Sequence, residues 1–431
     1  MGKSLNVGIA GLGTVGTGVF RLLQKNASRI SGSTGHAINI VAVSARDKNK
    51  DRGIDLSGVD WIDDPVSFAG RDDIDVVVEL IGGEEGLARE IVQDTLKAGK
   101  PVVTANKALL AKHGLELAEL SEKHDAPLFY EAAIAGGIPI VKSLREGLAG
   151  NDVSSVAGIL NGTCNYILTE MERSGADFED VLKDAQDKGY AEADPGFDID
   201  GVDAAHKISL LSSIAFGTKL DFHSLTIEGI RNITSEDIQN ALTLGYRIKL
   251  LAIAEKTDKG VFQKVSPALV PLDHSLAGVS SVLNAVYVTG DFVHSYFAVG
   301  PGAGQEPTAS AVVSDIIDCA CHNIRPVFGL PFSHLKTADQ LSVSDLVKRF
   351  YLRLPVLDKS GVLADISRIL KDHNISIETL IQIGRDPDQP VAIVMTTHEA
   401  NAGEIQNVAK QIGALATSIS DPCVIPIEDL D

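Results

Sequence analysis

Basic residues, cysteines and aromatics are all scarce in this chain. Only 38 lysines and arginines stand against 58 aspartates and glutamates, leaving a formal net charge of −20. Such a field repels phosphate backbones and anionic lipid headgroups, which argues against nucleic acid and membrane surfaces as partners. Four cysteines in 431 residues are too few for a disulfide framework and suit a reducing compartment. Three of the chemically tempting residues, Cys319, Cys321 and His322, fall on an expected helix, where positions two apart point away from each other. Buried thiols are therefore expected there, not a metal site. No apolar run approaches membrane-spanning length, and the opening MGKSLNVGIAGLG enters a strand without a signal-like apolar core. The expectation is a soluble, cytoplasmic protein. At 44% apolar residues the chain is long enough to fill the cores of two or three domains.

What is present begins with an apolar strand at residues 5–10, followed at once by Gly11-Leu12-Gly13-Thr14-Val15-Gly16 and a helix. A GxGxxG turn between strand and helix is the dinucleotide-binding arrangement. Gly11 permits the tight turn, Gly13 lets a pyrophosphate approach the backbone, and Gly16 permits close helix packing. The second strand, 38–44, ends at Ser44-Ala45-Arg46-Asp47-Lys48, where this fold reads the adenosine ribose. A hydroxyl and two cations favour the 2′-phosphate of NADP, while Asp47 keeps NAD open. DVVVEL at 75–80, a helix over 85–98, a strand at 101–104 and a helix over 109–124 continue the alternation and predict a parallel, doubly wound sheet. Lys107 falls where the 101–104 strand gives way to a helix, the rim at which such sheets bind ligands.

From residue 128 the texture changes. Glu131 precedes Ile134-Ala135-Gly136-Gly137-Ile138, a compact glycine turn that suits a plain hinge or a ring of carbonyl ligands. A strand at 153–160 leads into NGTCN at 161–165, and further strands at 246–255, 262–270, 282–288 and 291–299 predict a mixed sheet. Gly300 to Gly304 break the pattern before a helix over 308–321. Between them lies KGYAEADPGFDIDGVDAAHKISLL, residues 188–211, in which Glu192, Asp194, Asp198, Asp200 and Asp203 precede one cation, Lys207. Breakers make its first half a loop, and 203–211 reads as a helix that sets Asp203 and Lys207 on one face. An acid-rich first turn with a surface ion pair is the ordinary reading. The apolar Ile208, Leu210 and Leu211 beside the pair point instead to partial burial, and a lysine held so can protonate a developing alkoxide.

Residues 326–342 form an aperiodic, proline-bearing linker. A strand at 350–357, a turn Asp358-Lys359-Ser360-Gly361, a helix over 362–373, strands at 375–384 and 390–397, a helix over 402–412 and a last strand around 416–419 give a βαββαβ order. Gly361 frees backbone amides for a carboxylate at the start of the helix at Val362, and Asp358 or Asn374 suits a ligand ammonium or hydroxyl.

These motifs, in this order, resemble homoserine dehydrogenase over residues 5–325, and the remainder, with LDKSGVLADI at its first turn, resembles an ACT domain. The implied architecture is α/β: a Rossmann-type nucleotide domain at 1–130 completed by residues 300–325, a substrate and dimerisation domain at 131–325, a linker at 326–348 and an ACT module at 349–431. The implied activity is NAD(P)H-dependent interconversion of aspartate semialdehyde and homoserine, without an attached amino-terminal kinase. The resemblance assigns Lys207 as proton donor, Asp203 as its support, and Glu192 and Asp198 to the substrate. Lys107 falls near nicotinamide and substrate, and Gly304 touches the cofactor. It implies a Na+ or K+ site from Glu131 with the carbonyls of Ile134, Gly136 and Ile138. Cys164 stands where the family's NGTTN segment has threonine, and is expected to face packing. Threonine is the implied effector, and a homodimer or homotetramer the implied assembly. A related amino-acid dehydrogenase, a sensor that has lost catalysis, and an ACT module kept for oligomerisation remain alternatives.

Overall fold

The computed structural model describes residues 4–383 and 390–430. Strands β1 (Ser4–Ala10), β2 (Ala37–Ser44), β3 (Asp60–Trp61), β4 (Val76–Glu79), β5 (Val102–Thr104) and β6 (Leu128–Phe129) form one parallel sheet in the order β3-β2-β1-β4-β5-β6. Val76, Val77, Val78, Val102 and Val103 are wholly buried, as apolar strands must be when helices cover both faces. Strand order reverses between β1 and β4, so the loops after these strands diverge and leave a crevice at the carboxyl rim. One acid interrupts the apolar run. Glu79 is buried and accepts from the Thr104 hydroxyl at 2.6 Å and the Ile81 amide at 2.7 Å, tying the ends of β4 and β5 together.

The helix Gln305–Cys321 returns to this domain and packs on the helix Thr14–Lys25, where Gly18 lies directly against Gln305 and Ala309. Of the thiols on it, Cys319 is buried but Cys321 is exposed, correcting the expectation that both are buried. The helix after β5 spans Lys107–Lys123, two residues earlier than the apolar periodicity suggests, because the Asn106 side chain caps it by accepting from the Leu109 amide at 3.1 Å. Lys107 is thereby fixed on the first turn.

The second sheet is mixed. It contains β7 (Val153–Ile159), β8 (Thr226–Ile227), β9 (Tyr246–Thr257), β10 (Gly260–Pro271), β11 (Leu283–Gly290) and β12 (His294–Pro301). It then continues without a break through β13 (Val347–Leu357), β14 (Ile377–Ile383), β15 (Pro390–Thr397), β16 (Ala400–Asn401) and β17 (Cys423–Ile427). The order β12-β11-β7-β9-β10-β17-β13-β15-β14 puts the carboxyl-terminal strand between the middle of the chain and its last module. The final strand is thus at Cys423–Ile427 and not around 416–419, where Ser418 makes only an isolated bridge to Val356. Pro422 and Pro426 make this segment read as loop. Pairing of Arg349–Arg353 with Ile427–Cys423 overrides that local signal, and ladder pairing with β10 is confined to Leu269 and Ile427. The end of the expected 375–384 strand, Gly384, lies outside the described residues.

Across the inner face of this sheet runs the helix Val202–Phe216, with every residue from Asp203 to Ile214 buried. It packs on β7, β9, β10 and the helix Lys107–Lys123, so both domains wall it in. Its left-handed N-cap Gly201 (φ +87°) abuts Val265, leaving no comfortable room for a side chain. Among the described residues no helix is long and apolar enough to cross a membrane.

Candidate active site

The helical register that sets Asp203 and Lys207 four residues apart brings them into contact inside the protein. Lys207 Nζ donates to Asp203 Oδ2 at 2.7 Å and to the Leu160 carbonyl at 2.6 Å. Lys107 Nζ, arriving from the rim of the parallel sheet, lies 3.1 Å from Asp203 Oδ1. One carboxylate therefore holds two lysines from two domains. Asn161 completes the group: its amide donates to Asp203 Oδ2 at 2.9 Å and Asp198 Oδ1 at 2.8 Å, while its carbonyl oxygen caps the helix Gly162–Ser174 through the Cys164 amide. Thr163 donates to the Tyr190 carbonyl at 2.8 Å. The Cys164 thiol is buried and faces the Asp198 carbonyl at 3.3 Å, inside the packing.

Burial works to raise the Asp203 carboxyl, but Lys207 and Lys107 outweigh it and hold the group well below the usual carboxylate range. Lys207 is lowered, because burial penalises its charge and Lys107 adds to that, while Asp203 opposes both. Asp198 is raised, first by burial and then by its neighbour Asp203. The result is an anion fixed between two cations, one of which is buried and more ready to release its proton than a solvated lysine. Two of the three N–H donors of Lys207 are engaged, leaving one for a reacting oxygen. Lys107 is less buried, with a side chain 31% exposed, and its ammonium sits 5.7 Å from the centre of the Phe197 ring. Phe197 in turn meets the edge of His206, whose pKa is lowered mainly by burial, so that its ring is neutral at pH 7. Glu192 is not brought into the cluster: it is exposed on the preceding loop, and among the described residues its carboxylate has no partner.

A cleft of about 480 Å³ opens at the switch point, lined by Gly11 and Gly13 on one side and Ser44, Arg46 and Ile81 on others. The glycine loop fits a dinucleotide. Gly11 has φ +113°, a Cβ on Gly16 would fall 1.9 Å from the Gly11 carbonyl oxygen, and a Cβ on Gly13 would project into open space. Thr14 is exposed and Val15 half-buried at the helix start. Gly304 caps the helix whose first residue, Gln305, donates to the Thr14 carbonyl at 3.0 Å, so it is held close to the same loop. Lys48 does not line the cleft, whereas Lys50 and Arg52 do. Arg52 Nε donates to the Leu12 carbonyl at 2.9 Å.

The glycine turn at 131–138 is buried apart from Gly137. Both oxygens of Glu131 accept backbone amides, from Val141 and Lys142 at 2.8 Å each, and Ile138 accepts from the Ile140 amide. Burial raises the Glu131 carboxyl. Beside it, Asp315 accepts from the Glu131 amide at 2.8 Å, keeps its other oxygen without a hydrogen bond, and is raised to about 7 by burial and by Glu131. The Lys142 ammonium lies 3.8 Å from Asp315 and 2.5 Å from the half-buried Asp318, and the buried Arg145 adds a second cation near Glu131 and Asp315.

In the last module, Asp358, Gly361 and Val362 line a cavity of about 200 Å³ with Gln382 and Ile393, and Gly361 (φ +99°) caps the helix Val362–Asp372. Asn374 is absent from that lining. It lies exposed beyond the opposite end of the helix, which corrects its pairing with Asp358 in one ligand site.

Sequence reasoning missed Asn161 as the amide joining both acids, Thr163, Phe197, and the cleft residues Lys50 and Arg52. The NGTCN segment carried the first signal, an asparagine at a strand-to-helix junction whose capping and donor groups act together.

A switch-point dinucleotide cleft, with a lysine–carboxylate–lysine cluster joining the same nucleotide domain to the second sheet's helix, defines a nicotinamide-dependent oxidoreductase carrying a small-ligand module. Residues 11–131 match the family model described as homoserine dehydrogenase, NAD binding domain, residues 139–317 the homoserine dehydrogenase model, and residues 350–417 the ACT domain. The chain is 45% identical to the homoserine dehydrogenase of Neisseria gonorrhoeae over 420 residues, 96% of each. Among solved structures, the homoserine dehydrogenase of Thiobacillus denitrificans superposes with a TM-score of 0.93 at 42% identity, covering 100% of this chain and 99% of that one. A hyperthermophilic archaeal homoserine dehydrogenase in complex with NADPH aligns at 26% identity and TM-score 0.63 over 75% of this chain and 99% of its own. The chain belongs to the homoserine dehydrogenase family, in a form that carries an ACT domain.

Proposed function

We propose that the chain reduces L-aspartate 4-semialdehyde to L-homoserine with NADPH, and catalyses the reverse oxidation, in threonine, methionine and isoleucine biosynthesis. The observation that carries this reading is the contact of Lys207 and Lys107 with opposite oxygens of Asp203. The glycine turn would hold the cofactor pyrophosphate, and the bound dinucleotide would supply the hydride. Lys207 gives its proton to the carbonyl oxygen as that oxygen gains charge, and Asp203 fixes its position. Lys107 adds positive charge at the same place. Glu192, exposed and without a carboxylate contact among the described residues, is read as the acid that takes the substrate ammonium, with Asp198 as the second acid. In the oxidation the same groups act in reverse, with neutral Lys207 accepting the hydroxyl proton. Burial lowers the pKa of Lys207, which makes it a readier proton donor and acceptor than a solvated lysine.

NADP over NAD rests on Ser44, Arg46, Lys50 and Arg52 around one end of the cleft, and on the NADPH complex of the archaeal relative. Glu131 with the carbonyls of Ile134, Gly136 and Ile138 is read as a Na+ or K+ site, supported by the burial of this oxygen-rich glycine turn and by the Asp315 oxygen beside it that has no hydrogen bond. The cavity at Asp358 and Gly361 is read as the amino-acid effector site for feedback inhibition, with threonine as first candidate, in a homodimer or homotetramer joined through ACT modules. Removing the module is a poor test, because β17 and the buried Glu428 would go with it. Threonine should instead be titrated against the intact chain and Gly361→Val, which strains the cap. Inhibition of the first and not the second supports the site; indifference of both contradicts it. Oxidation of NADPH that depends on aspartate semialdehyde tests the reaction itself.

A further inference from the structure

A second cavity, of about 290 Å³, lies at the seam between the catalytic half and the last module. Its floor is β8 and β10, and its roof is β13, β17 and the helix Ala402–Gly413. It is chemically divided. At one end stand Lys264 and Lys348, both bound to the buried Glu428, with Lys348 also 3.2 Å from Glu255. Ser266 lies beside them, 7% exposed and with no hydrogen-bond partner for its hydroxyl, which a buried polar group does not ordinarily tolerate. At the mouth is Glu228, whose carboxylate has no hydrogen bond or ion pair among the described residues. Between them Leu346, Phe350 and Val424 supply an apolar wall.

This inventory discriminates between ligand classes. Lys264 and Lys348 are paired with Glu428 and Glu255 but keep N–H donors, and with the Ser266 hydroxyl they can hold a carboxylate; a bare anion taken up there still meets Glu228 at the mouth. A bare cation satisfies Glu228 but leaves Ser266 and the spare lysine N–H donors unused. A zwitterion satisfies both ends. We propose that this cavity binds an α-amino acid with an aliphatic side chain: ammonium on Glu228, carboxylate on Ser266, Lys264 and Lys348, and side chain against Leu346, Phe350 and Val424. It is separate from the Asp358–Gly361 cavity and does not rest on the proposed reaction.

Its position links it to the active site. Alternate residues of β10 face opposite ways, so Lys264 and Ser266 meet the ligand while Val265 packs against Gly201 at the head of the Asp203–Lys207 helix. The Glu228 amide donates to the Val265 carbonyl at 2.8 Å, and two residues on the Ile230 amide donates to Ile199, the neighbour of Asp198. A ligand here therefore touches both the module and the strand that supports the catalytic helix.

The test is calorimetric titration of the full-length chain with L-valine, L-leucine and L-methionine, alongside isocaproate and isoamylamine, which keep the leucine skeleton but lack ammonium or carboxylate. At least one amino acid should bind, about tenfold or more tighter than either truncated analogue. Glu228→Gln, at the cavity mouth, and Ser266→Ala, which removes one oxygen atom, should each weaken that binding, the former by about tenfold. Gly361→Val should leave it unchanged. The proposal is overturned if none of the three amino acids binds, if binding is indifferent to both cavity variants, or if Gly361→Val alone abolishes it.

Discussion

Replacing Asp203 by asparagine keeps shape and volume but removes the anion on which the cluster depends. Both oxygens of Asp203 accept from donors: Oδ1 faces Lys107, and Oδ2 faces Lys207 and Asn161. Whichever way the new amide turns, its NH2 confronts an ammonium group. Two lysines lose their shared counter-charge, and one of them is buried. Breaking a buried ion pair by removing one partner costs ~3–5 kcal/mol, and that loss should appear in denaturant unfolding at pH 7. The sign of its pH dependence follows from the depressed carboxyl. Stability from Asp203 is present above the unfolded-state value and is lost as pH falls, so the gap between wild type and variant should close below about pH 3.9. Catalysis should suffer in a matching way. Without the carboxylate that opposes burial, Lys207 loses its proton at lower pH, so the alkaline limb of the reduction rate should move to lower pH and kcat should fall by about 10²-fold or more. A variant within ~1 kcal/mol of wild type, with the alkaline limb unmoved, would refute the account of the cluster.

Three further outcomes are expected. Arg46→Ala should weaken NADPH binding at least about tenfold more than NADH binding, because a charge-assisted contact is lost from only one cofactor; equal losses measured by fluorescence titration would remove Arg46 from phosphate recognition. Lys249 is buried, donates to Asn165 and Val279, has no ion pair among the described residues, and is lowered to about 8, first by burial and then by Arg247, against the pull of Glu172. Its folded form sheds a proton that the unfolded chain keeps to higher pH, so stability should rise between pH 8 and 10 by up to ~3 kcal/mol relative to Lys249→Met; parallel profiles would contradict the shift. Exchange of Na+ and K+ for tetramethylammonium at constant ionic strength should lower the melting temperature of wild type but not of Glu131→Gln, and identical responses would argue against a cation at Glu131.

Periodicity and glycine spacing made the parallel sheet readable, because strands buried on both faces are continuously apolar and a GxGxxG turn has few other uses. Asp203 and Lys207 were readable for a similar local reason, since helical geometry alone sets them on one face. Their burial was only half visible. The apolar neighbours indicated a core boundary, but that the entire turn lies inside depends on β7, β10 and the Lys107 helix closing over it, contacts distant in sequence. Asn161 escaped notice because its role arises only when residues 161, 198 and 203 meet. The last strand was misplaced for the opposite reason: Pro422 and Pro426 announce a loop, and only the long-range partner at Arg349–Arg353 reverses that. In sequence Asn374 reads, like Asp358, as a ligand for the same effector, yet the helix Val362–Asp372 separates the two positions.

In the proposed reaction Lys207 is the acid for reduction of an aldehyde substrate by a nicotinamide cofactor. The measurement that tests it most directly is the steady-state rate of NADPH oxidation with L-aspartate 4-semialdehyde by wild type and by Lys207→Ala, with the cofactor Kd of each measured separately. Wild type should turn over only when the semialdehyde is present, and Lys207→Ala should lose about 10²–10⁴-fold in kcat while its cofactor Kd stays within about twofold. A wild type inert toward the semialdehyde, or a variant whose kcat stays within severalfold of wild type, would contradict it.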